Sequence, residues 1–116
     1  MGNFFKLLVW QRSKDLAIEI YKVTQGIRLS KDFGLRDQIQ RAAVSIPANI
    51  AEGDELGTDK QSTRHFYIAK GSTAELMTEL IIAKEIGYIN SQSLERLLGE
   101  CKIISTMLLK LIKSRS

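Results

Sequence analysis

The stretch Gln38-Ile-Gln-Arg-Ala-Ala-Val-Ser-Ile-Pro-Ala-Asn-Ile-Ala-Glu-Gly53 decides the fold, because it predicts a helix with almost no solvent face. At about 100° per residue, one apolar sector of this helix contains Leu35, Ile39, Ala42, Ala43, Ile46 and Ile50. A second apolar sector beside it contains Val44, Pro47, Ala48 and Ala51. The polar side chains fall in one narrow stripe, here called the polar stripe: Gln38, Arg41, Ser45, Asn49 and Glu52.

A helix that is apolar nearly all round is usually buried on more than one side. A chain of 116 residues has little room to bury one helix twice. We therefore predict that a partner subunit covers the second apolar sector.

Helical periodicity extends outward from this stretch and predicts four helices and no strands, at residues 8–25, 35–53, 59–86 and 91–113. Gly26 is expected to end the first helix, Thr58 to cap the third and Ser91 to cap the fourth. Residues 28–34, 54–58 (with Gly57) and 87–90 are predicted connections. The prediction is a single domain, residues 1–116, that folds as an all-α antiparallel up-down four-helix bundle.

Pro47 lies inside the second helix, where proline removes one backbone hydrogen bond and clashes with the preceding turn. Two structures fit: one kinked helix, or two helical pieces broken at Ile46. We favour the kinked continuous helix, because the apolar sector keeps its phase across the proline.

The third helix has apolar residues on two sides. One side faces the predicted core, and the far side opposite to it, which would be exposed to solvent in an isolated chain, is also apolar. The far side contains Ile68, Gly71, Glu75, Ile82 and Ile86. Gly71 and Ser72 are small enough to let another backbone come close. This pattern predicts a second contact face.

Composition bounds the cellular setting and the partners. The 17 Lys and Arg against 13 Asp and Glu give a net charge of +4, which is compatible with nucleic acid but does not require it. Cys101 is the only cysteine and lies at a core position, which indicates a buried, inert thiol in a reducing cytoplasm. A membrane span is not expected, since no apolar run approaches about 20 residues. A signal peptide is not expected either, because the apolar N-terminus is short and lacks a small-residue cleavage site.

Few residues have the spacing that catalysis needs, so we expect no enzyme, no cofactor and no metal. His65 has no second His or Cys at metal-ligand spacing. Glu75 and Glu79 lie four residues apart, and we interpret them as ionic partners of nearby cations.

The polar stripe, with Glu75, is the best candidate site. It is interpreted either as a buried network that fixes helix register or subunit pairing, or as a ligand or nucleic-acid contact; the structural interpretation is preferred. Arg41 is expected to pair with Glu52 or Glu75, and Asn49 to bond backbone groups freed by Pro47.

Candidate nucleic-acid contacts cluster on the first helix and the loop that follows it. They are Arg12, Lys14, Lys22, Arg28, Lys31 and Arg36. Acidic residues are interleaved with them, which weakens a phosphate-binding field, and a solvated helix face is the alternative.

Several segments resemble one known family. The block Ala43-Val-Ser-Ile-Pro-Ala-Asn-Ile-Ala-Glu-Gly53, with Val9-Trp10-Gln11, Ile68-Ala-Lys-Gly-Ser72, Glu75-Leu76 and Gly87-Tyr88, is similar to the small four-helix-bundle proteins encoded in intervening sequences of bacterial 23S ribosomal RNA genes. The resemblance covers nearly the whole chain. Gly26-Ile27-Arg28 departs from it, because the family often has Phe-Pro there.

The resemblance implies a ring-shaped homo-oligomer, with a homopentamer favoured. It also extends to the accessory proteins of diversity-generating retroelements, which bind a reverse transcriptase and nucleic acid. The partners it implies are therefore further copies of the chain, RNA or DNA, and a nucleic-acid-processing protein.

Overall fold

The computed structural model describes residues 3–56 and 58–116, and this part of the chain is helical with no strand. Its elements are α1 (Leu8–Val23), α2 (Phe33–Glu55), α3 (Asp59–Glu85) and α4 (Ser91–Arg115), with short 3₁₀ turns at Phe4–Lys6 and Leu29–Lys31. The bundle measures 43 × 21 × 20 Å. The predicted all-α, four-helix class is confirmed.

Each helix packs against its neighbours in the sequence, and α4 closes the bundle against α1. The pairs Ser45–Ser72 and Asn49–His65 show that α2 and α3 run antiparallel, since the residue number rises along one helix as it falls along the other. Because consecutive helices alternate in direction, the α1–α2 and α3–α4 connections share one end of the bundle. We call this the connection end; there Arg28 Nη1 donates to the Gly87 carbonyl over 3.4 Å.

The first apolar sector of the deciding stretch forms the centre of the core. Ile39, Ala43, Ile46 and Ile50 are fully buried against α1 and α3. Cys101 is buried as predicted, and burial raises the pKa of its thiol to about 12. The reactive thiolate is therefore scarce at neutral pH.

The helix α2 continues across Pro47, as predicted. It begins two residues earlier than expected, because the Asp32 side chain caps it by accepting from the Leu35 amide over 3.2 Å. It also extends beyond Gly53 to Glu55, so the predicted loop at residues 54–58 is shorter; Gly57 lies outside the described residues.

The other helix ends show one confirmed cap and three corrections. Thr58 caps α3 as predicted, accepting from the Gln61 amide over 3.2 Å. Asn90, not Ser91, caps α4, because its extended backbone lets the side chain reach the Ser93 amide at 2.8 Å. α1 ends at Val23, three residues before Gly26. Thr24, the residue after this end, donates its hydroxyl to the Ile20 carbonyl. α4 continues past residue 113 to Arg115, whose side chain bonds Asp54 of α2 over 2.8 Å.

Gly53 lets α2 and α3 come close near their shared turn. A Cβ added there would lie 2.8 Å from Phe66 Cε1 and 3.0 Å from the Ser62 carbonyl oxygen. The Ser62 hydroxyl also donates to the Gly53 carbonyl over 2.6 Å. A fully buried ring and a backbone atom therefore occupy the space that a side chain would need.

We expect Gly53→Ala to lower the free energy of unfolding by about 1–3 kcal/mol, because the added Cβ would come within 2.8 Å of the fully buried Phe66 ring and within 3.0 Å of the Ser62 carbonyl oxygen. Gly99→Ala is the matched control: it lies within α4, and an added Cβ would meet nothing within 4 Å. The control should be neutral or stabilising by up to about 1 kcal/mol, from helix propensity. Urea unfolding of both variants measures this, and equal stabilities would contradict the steric explanation.

Candidate functional site

A chain of hydrogen bonds joins the polar stripe of α2 to α3. Ser45 Oγ and Ser72 Oγ are 2.8 Å apart. Asn49 Nδ2 donates to the Ser45 carbonyl over 2.9 Å and to Ser45 Oγ over 3.1 Å. On its other side, Asn49 Oδ1 lies 3.0 Å from His65 Nδ1, which is also 3.7 Å from Glu52 Oε2.

This network fixes the proton position on His65. Asn49 Oδ1 is only an acceptor, so His65 Nδ1 must be the donor. The imidazole is therefore held by a directed bond to α2. The structure connects His65 to the site, whereas the sequence showed only that it has no second His or Cys at metal-ligand spacing. The sequence did contain a sign of this contact, because His65 lies seven residues, or about two helical turns, before Ser72 and therefore on the same face of α3.

The rest of the polar stripe remains at the surface. Arg41 and Gln38 are exposed, and neither predicted ion pair of Arg41 forms within residues 3–56 and 58–116. Glu52 lies beside His65 instead, and Glu75 is exposed on α3. Asn49 bonds the Ser45 carbonyl, not the Ala43 carbonyl that Pro47 leaves free. Neither expectation is met: Glu52 lies beside His65 and not beside Arg41, and the Asn49 side chain reaches the carbonyl and hydroxyl of Ser45, one turn earlier on its own helix.

The two small residues of α3 have different roles. Ser72 is half-buried and bonds α2 of its own chain. Gly71 is exposed, and a Cβ added to it would meet nothing within 4 Å. Packing within the chain therefore does not explain the lack of a side chain at position 71.

Glu79 is a buried carboxyl group that sequence reasoning treated as an ionic partner of a cation. Glu79 is 6% exposed, and its Oε1 atom has no hydrogen-bond partner within the described chain. Burial, followed by the charge and hydrogen bond of Glu75, raises the pKa of Glu79 to about 7. Glu79 therefore has a second acid, and not a cation, as its neighbour, and its carboxyl stays protonated to a higher pH than an exposed carboxyl would.

A concave surface between α1 and α2, here called the α1–α2 groove, has two joined parts that share Tyr21 and Val44. The polar part, of about 530 Å³, is lined by Tyr21, Asp37, Gln40, Arg41, Val44, Ser45, Ala48 and Asn49. The apolar part, of about 470 Å³, is lined by Lys14, Ala17, Ile18, Tyr21, Lys22, Val44 and Pro47. The second apolar sector of α2 is therefore open at this surface, with Val44 43% exposed.

The far side of α3 is also exposed, and we call it the α3 ridge: Ile68, Gly71, Glu75, Ile82 and Ile86. Its isoleucines are 41–49% exposed. Scattered apolar residues are normal on a protein surface. These three recur along one helix face, which is the pattern of a contact surface.

The six candidate nucleic-acid contacts do not form one patch. Arg12 binds both oxygens of Glu100 at 2.9 Å, and this hydrogen-bonded ion pair raises the pKa of the guanidinium. Lys14 pairs with Asp15 at 2.8 Å.

The other four cations lie towards the connection end. Arg36 pairs with Asp37 at 2.9 Å and lies 4.8 Å from the centre of the Phe33 ring. Lys22, Arg28 and Lys31 are exposed and form no ion pair within the described residues.

Within residues 3–56 and 58–116, no group of three or more His, Cys, Asp or Glu side chains is arranged to hold a metal ion. The described helices also include none with the length and apolar content that crossing a membrane requires.

Comparison with known proteins assigns the family. The sequence profile described as 23S rRNA-intervening sequence protein matches residues 5–110. The chain belongs to this family. No curated protein sequence matches the chain.

A solved structure supports the same fold. It is the crystal structure of a protein of unknown function from the S23 ribosomal protein family of Bacteroides thetaiotaomicron VPI-5482. The match has a TM-score of 0.86 and 24% sequence identity, and covers 91% of this chain and 99% of that one. At this identity the likeness establishes the four-helix fold alone.

We expect Asn49→Ala to lower the free energy of unfolding by about 1–2 kcal/mol, because it leaves half-buried Ser45 and His65 groups without their partner. Gln38→Ala, at an exposed position of the same stripe, should change it by less than about 0.5 kcal/mol. Thermal and urea unfolding compare the two variants. A neutral Asn49→Ala would mean that the network does not stabilise the α2–α3 contact.

The second prediction for this site concerns pH. The Glu79 carboxyl ionises near pH 7 in the folded chain, against an ordinary value of 4.5, so the folded state binds more protons between these values. Stability should therefore fall as pH rises from about 4.5 to 7 and lose no more from this group above that range.

Glu79→Gln keeps the shape and removes this ionisation. We compare the free energy of unfolding of this variant with that of the unmodified chain. The difference should favour the variant by about 1–3 kcal/mol more at pH 8 than at pH 4. Glu85→Gln, exposed on the same helix, is the control and should show no such pH-dependent difference. A Glu79→Gln difference that is the same at both pH values would show that burial does not hold the carboxyl neutral.

Proposed function

We propose that this chain is a non-enzymatic, cytoplasmic scaffold that assembles as a homo-oligomer, with a pentamer favoured, and binds RNA or DNA at the connection end. The observation that carries the proposal is the exposure of two separate apolar faces on a chain that already has a complete core of its own. These faces are the α1–α2 groove and the α3 ridge.

The scaffold role is favoured by how the reactive side chains are held. His65 Nδ1 is engaged by Asn49, and the raised pKa of Cys101 disfavours its thiolate. The resemblance carried by the sequence motifs implies a ring, which supports assembly. The same resemblance, as extended to retroelement accessory proteins, implies a nucleic-acid-processing partner.

Contact with nucleic acid is proposed for Arg28 and Lys31 rather than for all six candidates, since Lys22, the third cation towards the connection end that forms no ion pair within the described residues, lines the α1–α2 groove. Arg12, Lys14 and Arg36 already have carboxylate partners, so their charge is partly compensated. Half of the candidate cations are in ion pairs, which favours a second function. In this alternative, the chain is a protein-interaction or assembly module that serves a nucleic-acid-processing protein without touching the nucleic acid.

The test is size-exclusion chromatography with light scattering, run with and without a 23S ribosomal RNA fragment at low and moderate salt. We expect a mass near five subunits, and RNA retention that weakens steeply with salt because counterions are released from phosphates. A monomer would overturn the scaffold, whereas an oligomer that ignores RNA would favour the protein-interaction module.

Paired variants locate the contact. Arg28→Gln with Lys31→Gln should weaken RNA binding and reduce the slope of log affinity against log salt by about 1–2. Lys102→Gln with Lys110→Gln removes the same charge from exposed α4 positions and should leave more of the slope intact. An equal loss in both pairs would show that net charge, not the connection end, governs binding.

A further inference from the structure

The α1–α2 groove and the α3 ridge are both elongated and both partly apolar. One part of the groove is walled by apolar surface, and the ridge presents three half-exposed isoleucines. From Ile68 to Ile82 the ridge extends about 21 Å, and from Asp37 to Ala48 the groove extends about 17 Å along α2, at about 1.5 Å per residue. The groove is therefore long enough to hold most of the ridge between Ile68 and Ile82.

The same two surfaces are complementary in charge. Lys22 and Arg41 line the groove without an ion pair in the described chain, whereas the other charged residues there, Lys14 and Asp37, are each paired with a neighbour. On the ridge, Glu75 is exposed midway between Ile68 and Ile82. The cations Lys22 and Arg41 of the groove are thus opposite in charge to Glu75 of the ridge.

Two further features of α3 are explained by a contact from outside the chain. Gly71 has no side chain, although a Cβ added at this position would meet no atom of its own chain within 4 Å. Glu79 lies one turn from Glu75 with a buried oxygen that has no partner. A second helix can approach at Gly71, and a cation brought to Glu75 relieves the repulsion between the two carboxylates.

We infer that the α3 ridge of one copy seats in the α1–α2 groove of a second copy, with Glu75 between Lys22 and Arg41 of that copy. This inference rests on the proposed homo-oligomer and specifies its interface. The two surfaces differ, so the contact is head-to-tail: every copy supplies one ridge and one groove, and the same contact repeats from copy to copy.

RNA does not fit the ridge as an occupant, because Glu75 would repel phosphate. The outer face of α4 does not offer the same complement, since its exposed Ile103 and Leu109 lie beside Lys102 and Lys110 and outside the grooves described above. A second copy of this chain is the partner that the surfaces favour, because every copy has both a ridge and a groove.

The test uses one variant for each half of the contact. Ile82→Arg blocks the ridge and Val44→Arg blocks the groove; both positions are 43–46% exposed, so the fold does not depend on their burial. Ile103→Arg, at a 43% exposed position of α4, is the matched control. Light scattering gives the mass of each, and circular dichroism checks that each is folded.

We expect the control to keep the unmodified mass and each blocked variant to be a monomer. An equimolar mixture of the two blocked variants should give a one-to-one dimer, because the intact ridge of Val44→Arg fits the intact groove of Ile82→Arg. The blocked surfaces at the two outer ends prevent further growth. Ile86→Arg and Ile18→Arg serve as a second pair if either first variant fails to fold.

The outcomes separate this interface from assembly as such. A monomeric unmodified chain would overturn the proposed oligomer. An oligomeric chain whose mass survives either blocked variant would leave assembly standing and overturn the ridge-in-groove contact. Two monomeric variants that stay monomeric when mixed would also overturn it, because an intact ridge and an intact groove would then be present together without binding each other.

Discussion

The close packing of α2 against α3 is the contact on which the other parts of the structure depend. It is made possible by small residues along one line: Ser45 meets Ser72, and Gly53 meets Ser62 and the ring of Phe66. Because these backbones are close, the polar groups between them must bond each other, and Asn49 and His65 do so. The core isoleucines of α2 are then placed against α1 and α3 together.

The same packing determines what the surface can offer. Since α2 turns its isoleucine sector inward and its serine and asparagine towards α3, its second apolar sector can only face outward beside α1. Val44, Pro47 and Ala48 therefore become walls of the α1–α2 groove instead of core. On α3, the residues opposite the core form the ridge. The two exposed faces are thus a consequence of how one helix is shared between its neighbours.

Charge is distributed in a way that favours contacts between proteins over a broad phosphate-binding field. The ion pairs Arg12–Glu100 and Arg115–Asp54 join helices that are distant in sequence, so they close the bundle rather than extend a basic surface. The guanidinium of Arg115 also lies 5.4 Å from the centre of the Phe66 ring and holds the end of α4 over the α2–α3 turn. Lys22, Arg28, Lys31 and Arg41 are among the cations that form no ion pair within the described residues.

The sequence by itself determined the helical class, the number of helices, the buried sector of α2 and the continuity of α2 across Pro47, because periodicity and local propensity act within a single segment. It also placed Thr58 as a cap and Cys101 in the core. Only the tertiary structure decided the partners of the polar groups: His65 for Asn49, Glu100 for Arg12, and a second acid instead of a cation for Glu79. The physical reason is that such partners come from other helices, and their choice depends on the register between helices, which no single segment encodes.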